Sequence, residues 1–535
     1  MIRRTIAFVA LLALLFGPAV TPRADAYEAH VLSYSDGLDV SSLNPWFASS
    51  GNITALVELT AAEFFRFDAH GNPIPELATE VPTAANHGIS KDGKSITYHL
   101  RHNVKWSDGQ PFDSSDVLYS VAVGKNPGNN IFVRDPWDRL ISASAPNKYT
   151  VVFHFKEPYA TFISDYFSTQ SGSAILPKHI LGGSTLINTA AYNGLPVGIG
   201  PFRFTAYNRG SDVEMEANPY YWRGLPKLHK VIYKIITDDN TRLTELQSGE
   251  LSLSDLINGT QVATAKAVPG KKNATRLSQF MGGLFFNVTH PAVSEAVVRR
   301  ALRMATDRAT SFDKVFLRNG RMTESVVPVI TRNYLELPLT KYDPAAAAKM
   351  LDADGWKVGP DRIRHKNGVA LNLDMAIPSG YQPSATLAAI LKEDWAQINV
   401  GITIHTWSTS QFFAIYANGG IIQTGKFDVA LFSQSMGPVF ANINGVYDCA
   451  GAPPNGANAS HYCNHKVDAL DDRYLHSYDP KVQEAAATQF QRIIDEDAPA
   501  IILYDRAFFS VYDGRITGYH PHPFSYWGDP MELDI

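Results

Sequence analysis

The chain has 535 residues, 45% hydrophobic and 11% aromatic, with 47 Lys and Arg against 52 Asp and Glu and two cysteines. That is enough apolar material for a folded protein of two or three domains. Charged residues make up 19% and no basic run exceeds Lys271-Lys272, which argues against a nucleic-acid surface. The aromatic content, with no glycine period or sustained heptads, excludes disorder, collagen and coiled coil.

At the amino terminus, Arg3 and Arg4 precede an apolar run at 6–16, Pro18 breaks it, and Ala24-Asp25-Ala26 offers small residues at the cleavage positions. This pattern predicts a secretory signal over 1–26, cleaved on export. The run is too short to cross a bilayer core, which takes about 20 helical residues. Cleavage removes Arg3, Arg4, Arg23 and Asp25, leaving 44 positive and 51 negative residues, a net of −7. No cysteine stands near the end of the signal, so a free periplasmic protein without a lipid anchor is expected. The flanking Ile2 and Thr5 do not mark the twin-arginine route.

Beyond the signal, strand and helix patterns alternate, which predicts an α/β architecture. Segments 95–100 and 149–155 read as strands. Between them Asp113 is a helix N-cap with Asp116 three residues on, and Asn126-Pro127-Gly128 ends that helix. Asp343-Pro344 starts another helix, closed by Gly355. An amphipathic helix over 384–397 leads through Asn399 and Gly401 into a strand at 402–407. A long helix over 480–496 precedes a short buried strand at 500–504. There is no repeat and no low-complexity linker.

No H-E-x-x-H, G-x-S-x-G or P-loop motif occurs. Gly198-Ile199-Gly200, followed by Pro201, reads as a structural turn, and the adjacent pairs Asp238-Asp239 and Asp471-Asp472 as solvated acids. No catalytic residue, metal site or cofactor is therefore expected. His461-Tyr462-Cys463-Asn464-His465 holds metal-ligand types in no zinc spacing. In an exported chain with two cysteines, the loop from Cys449 to Cys463 favours a disulfide over a metal site. His520 and His522 read as surface or capping residues.

One set of motifs is more specific. Leu100-Arg101-His102-Asn103-Val104-Lys105-Trp106-Ser107-Asp108-Gly109-Gln110-Pro111-Phe112 is continued by Ser115-Asp116-Val117-Leu118-Tyr119-Ser120. Around it stand Leu43-Asn44-Pro45, Pro75-Glu76-Leu77-Ala78, Gly198-Ile199-Gly200-Pro201-Phe202 and Asn218-Pro219-Tyr220-Tyr221-Trp222. Leu246-Gln247-Ser248-Gly249-Glu250, Val298-Arg299-Arg300-Ala301-Leu302 with Asp307-Arg308, and Ala498-Pro499-Ala500-Ile501 follow. In this order they resemble the extracytoplasmic solute-binding proteins of the oligopeptide, dipeptide and nickel class, family 5 of the ABC importers, over nearly the whole mature chain.

The resemblance implies a two-lobed periplasmic binding protein fold, class II and cluster C type, with an extra subdomain inserted in the first lobe. Lobe I is expected at 27–62, 198–279 and 508–535, the insert at 63–197 and lobe II at 280–507, with strand crossings near 280–287 and 504–511. It also implies a monomeric receptor that captures a peptide or peptide-like solute between hinged lobes and presents it to the permease subunits of an inner-membrane transporter. A metallophore, sugar or opine-like ligand and an exported hydrolase are the alternatives.

Ligand contacts are expected from Asn44, Trp46, Trp407, Phe432, Ser433, Gln434, Met436 and Asn442. The stretch after Asp428, where peptide-binding relatives place an aspartate for the ligand's amino terminus, carries no charge before Asp448. This points to a blocked peptide or a non-peptide solute, unless another carboxylate such as Asp36 or Asp39 takes the role. Met436 and Phe440 fit a core role as readily.

Overall fold

The computed structural model of the protein describes residues 30–40, 42–47, 51–131, 134–256, 259–379, 382–414, 416–440, 445–454 and 456–535. The expected signal and Asn442 lie outside these residues. No helix among them is long and apolar enough to cross a membrane.

In the first lobe, β1 (Val31–Ser35) and helix α1 (Gly51–Thr60) come first in the chain. The inserted part follows with β2 (Ser95–His99), α2 (Ser114–Lys125), β3 (Leu140–Asn147) and β4 (Thr150–Phe155), in a small antiparallel sheet of order β2-β4-β3. The chain returns to the first lobe in β5 (Phe202–Asn208), β6 (Asp212–Ala217), β7 (Lys230–Lys234) and β8 (Leu253–Leu256). It leaves along β9 (Lys271–Phe286). The second lobe contains α3 (Pro344–Ala353), β10 (Asn372–Pro378), α4 (Gln382–Ala396), β11 (Gly401–Trp407), β12 (Val429–Ser435) and α5 (Pro480–Asp497). β13 (Ala500–Asp513) then runs back.

One sheet passes through both lobes in the order β11-β10-β12-β9-β13-β8-β1-β7-β6-β5, with the short strand Gly320–Arg321 added beside β13. β9 and β13 are antiparallel along almost their full lengths, with register shifts between Leu277 and Met281 and between Gly282 and Gly283. At one end β13 also pairs with β8, and at the other β9 also pairs with β12. These two strands therefore tie the lobes together. Gly282 is required there, because a Cβ would stand 2.3 Å from the Tyr504 ring. The short strand expected at 500–504 continues to Asp513. Asp505 and Arg506 interrupt its apolar pattern, yet Asp505 is fully buried and its Oδ2 accepts the Val329 amide at 3.2 Å.

The large apolar residues divide into separate cores. Leu32, Leu56, Phe202, Tyr233 and Trp527 fill the first lobe, while Phe286, Leu302, Trp356, Leu391 and Trp395 fill the second. The core of the inserted part, with Tyr98, Trp106, Trp137 and Phe153, is continuous with Phe440, Tyr474 and Phe490. Hydrogen bonds cross the same seam. The Ala160 amide donates to the Leu475 carbonyl at 2.8 Å, and the Tyr478 hydroxyl donates to the Gly93 carbonyl at 2.9 Å while accepting the Tyr159 amide at 3.2 Å.

Local signals act as their chemistry dictates. Asp113 caps α2 by accepting the Ser115 amide at 2.8 Å, and the Asp116 carboxylate reaches back to the Asp113 amide at 3.2 Å, a reciprocal box. Asp116 also accepts the Lys178 amide at 2.9 Å and the Trp106 indole at 3.3 Å. One buried carboxylate thus fastens the motif's turn, its helix and the following segment. Asp343 caps α3 with Pro344 at the tolerated first position.

Candidate functional site

A cavity of about 220 Å³, open to solvent, lies where the first lobe, the insert and the crossing strands meet. Its walls come from α1 (Ile53, Thr54, Val57, Glu58), from Glu63 just beyond it, and from Thr169, Gln170 and Gly172 of the insert. Ser278, Gln279 and Phe280 of β9, Phe508 of β13, Ser435 at the end of β12 and the segment 522–526 complete it.

The sequence positions these groups by local means. The Gly198 to Gly200 turn packs on the end of α1, where the Gly200 amide donates to the Thr60 carbonyl at 2.9 Å and a Cβ on Gly198 would lie 1.9 Å from that oxygen. It is the structural turn expected. The 522–526 segment is held by Gln279 and Gln170, whose side-chain amides donate to the Pro523 and Phe524 carbonyls, each at 3.3 Å. Ser525 and Tyr526 in turn hold Glu58, through the Ser525 hydroxyl at 2.7 Å and the Tyr526 amide at 3.0 Å.

Charge is distributed unevenly over these walls. Arg276 is buried and committed to Asp255, with contacts of 2.8 and 3.5 Å, and it donates to Ser510 at 3.0 Å. It also lies over the Phe508 and Tyr526 rings, 4.9 and 4.8 Å from their centroids. Burial alone would depress the guanidinium, but the Asp255 carboxylate outweighs it and holds the pKa above its ordinary value.

The acids behave differently. Burial pushes Glu58 up to about 7, against its bonds to Ser525 and Tyr526. Glu63 is 3% exposed, and burial, reinforced by the Glu76 and Glu58 charges, pushes it well above the usual carboxylate range. His522 is lowered to about 4, chiefly by burial, and stays neutral; its Nδ1 accepts the Phe524 amide at 3.3 Å.

The residues expected to contact ligand fall elsewhere. Asn44 and Trp46 are buried: the Asn44 amide donates to Asn193 at 2.8 Å and its oxygen accepts the Trp46 amide. Trp46 stacks on Trp137 at 5.2 Å and donates to the Ala174 carbonyl at 2.8 Å. Both are architectural, because a large ring beside the insert gains more by entering its core. Met436 and Phe440 are also core, 2% and 0% exposed. Trp407 and Phe432 pack on a second-lobe cluster with Phe412, and Phe432 faces Phe285 at 4.3 Å. Ser433 pairs in register with Gly282 and Gln434 with Met281. None of these eight lines the cavity; their neighbour Ser435 does.

Asp36 and Asp39 are not cavity residues either. Asp36 is buried against the Tyr233 hydroxyl at 2.5 Å, and Asp39 accepts the Val40 amide at 2.7 Å. The charge-poor lining inferred from the stretch after Asp428 holds for β12 alone, since the opposite wall carries Glu58 and Glu63. His522, expected at the surface or as a cap, lines the cavity as well. Sequence did hold a signal for Glu63: it is the single charge in Ala61-Ala62-Glu63-Phe64-Phe65, and an acid inside an apolar run is buried for a reason.

Cys449 and Cys463 form the expected disulfide, with S–S 2.06 Å. With His465 they are the sole group of metal-ligand types gathered among the described residues, and both sulfurs are spent in the bond. His465 pairs with Asp468 at 3.0 Å.

Two lobes joined by paired crossing strands, with a cavity of mixed apolar and polar lining at the joint, define a solute-binding protein. Residues 72–452 match the model of the bacterial extracellular solute-binding proteins, family 5, and the chain belongs to that family. Protein XP55 of Streptomyces lividans is 29% identical over 79% of this chain and 74% of its own. The fold is that of the oligopeptide-binding protein AppA from Bacillus subtilis in complex with a nonapeptide (TM-score 0.81, 22% identity, 94% of this chain and 98% of that one). It is equally that of NikZ from Campylobacter jejuni in complex with Ni(L-His) (TM-score 0.82, 23% identity, 95% and 100%). The family consists of extracytoplasmic binding proteins, not enzymes.

Proposed function

We propose that this chain is the periplasmic receptor of an ABC importer, taking a peptide or peptide-like solute into the cavity between its lobes and handing it to the permease subunits. The cavity carries this reading: its walls mix the Phe280, Phe508 and Phe524 rings with the Gln170, Gln279, Ser278 and Thr169 side chains, a lining suited to a chain of amides with apolar substituents. The AppA likeness supports it. Capture works through lobe closure, in which the ligand stabilises the closed form by its greater affinity for it. The protein acts as a monomer, exported on its cleaved amino-terminal signal. The disulfide fits that oxidising compartment.

Native mass spectrometry of the protein as purified tests the proposal. A retained mass that fragments as a peptide is the expected result, and a sugar or metal chelate in its place would overturn it. Incubation with a peptide pool should return every peptide uncut, and appearance of fragments would convert the receptor into a hydrolase.

A further inference from the structure

Glu58 and Glu63 stand on the same wall of the cavity, and both also line the smaller pocket behind it. Glu63 Oε2 is buried and has no hydrogen-bond partner among the described residues. Its nearest acidic neighbour cannot serve it: Glu76 accepts the Glu63 amide at 3.5 Å and the Tyr221 hydroxyl at 3.3 Å. The surrounding cations are committed elsewhere. Arg276 belongs to Asp255, Arg223 and Arg66 share Asp529 at 2.6 and 3.5 Å, and His522 is neutral. This wall therefore presents carboxyl groups that no protein cation pairs with. A buried acceptor without a donor is unfavourable by the full desolvation of that oxygen, a situation natural structures keep for groups that something else completes.

We propose that a positively charged nitrogen of the ligand, a primary ammonium, completes it, with Glu63 as the hydrogen-bond acceptor and Glu58 beside it, the acids releasing their protons to solvent as the ammonium seats. The inference rests on the reading of the chain as a peptide receptor and adds which end or side chain that receptor holds. It assigns the cation to the first-lobe wall, opposite β12, where the sequence offers no carboxylate. Phe280, Phe508 and Phe524 then face the uncharged part of the ligand.

Three pools of short synthetic peptides separate the possibilities by equilibrium dialysis and mass spectrometry: free amino termini without lysine, the same peptides N-acetylated, and N-acetylated peptides containing one lysine. On the parent protein the free pool should be retained about tenfold or more over the acetylated one, the scale of a charged hydrogen bond. Recovery of binding in the lysine pool would assign the ammonium to a side chain, and its absence to the terminus. Glu63→Gln keeps size and polarity and should erase the preference; Glu58→Gln should reduce it and serves if the first variant does not fold. Equal retention of all three pools by the parent, or an undiminished preference in both folded variants, would overturn the inference while leaving the peptide receptor intact. Retention of none of the pools would remove both.

Discussion

Glu58 is the residue whose titration stability should report most directly. In the folded chain it holds its proton to about pH 7, against an ordinary value of 4.5. A raised acid lends stability that is fully present below 4.5 and is lost as the pH rises through 7. Asp505, pushed up to about 7 by burial, and Asp36, to about 6, act in the same direction. His522, lowered to about 4, opposes them below pH 6.5, where the unfolded chain takes up its proton. Comparing Glu58→Gln with the parent cancels the others. The two should melt together at pH 5, and the variant should be the more stable at pH 8 by about 2 kcal/mol; an equal offset at both values would contradict the assignment. The Arg276 and Asp255 pair behaves as a buried ion pair. Asp255→Ala strands a buried guanidinium, and a loss of about 3 to 5 kcal/mol in chemical denaturation is expected. The disulfide closes a small loop, and the loop-closure argument puts its contribution at about 3 kcal/mol. Titration of unfolded, unreduced protein should find no reactive thiol.

Among the elements, those fixed by caps and turns were the most legible. Asp113 with Asp116, and Asp343 with Pro344, start helices where the sequence places them, because the side chains satisfy amides that no helical carbonyl can reach. Asp113→Ala should cost about 1 kcal/mol, measured by denaturation. β12 was legible as a strand but not as a wall. Period-two alternation tells which side chains share a face, not which face another lobe covers, and so Phe432 and Gln434 were assigned to ligand while Ser435 reaches the cavity. Trp46 and Met436 are core residues for a related reason: composition makes a large apolar residue equally suited to ligand and core, and burial in a core is the stronger gain. Glu58, Gln279 and the 522–526 segment carry no periodic or motif signal, since three distant stretches meet only after the sheet has formed. The seam at Tyr478 is another such meeting. Tyr478→Phe removes the bond to Gly93 and should weaken the hold of the insert on the second-lobe helices, seen as faster amide exchange at Gly93 and Tyr159 with the cores unaffected.

At the scale of the molecule, the motifs around Trp106 and Trp222 disclosed the fold through turns and buried rings, whereas ligand chemistry resides in side chains those motifs do not contain. If the lobes close on solute, small-angle scattering should show a smaller radius of gyration with the retained peptide bound than after its removal; identical profiles at saturation would count against closure. The placement of β13 bears on how such a chain comes to be assembled. Its residues are among the last to be synthesised, yet it lies at the middle of the sheet between β9 and β8. Until 500–513 emerge, each half-sheet has an open edge and neither lobe can be finished, so the contacts that complete the fold span most of the chain. A nascent chain that cannot lock prematurely stays suited to threading through an export channel. Ending the chain after Ala498 should therefore yield insoluble protein rather than one intact lobe, as separation of soluble and pelleted fractions would reveal.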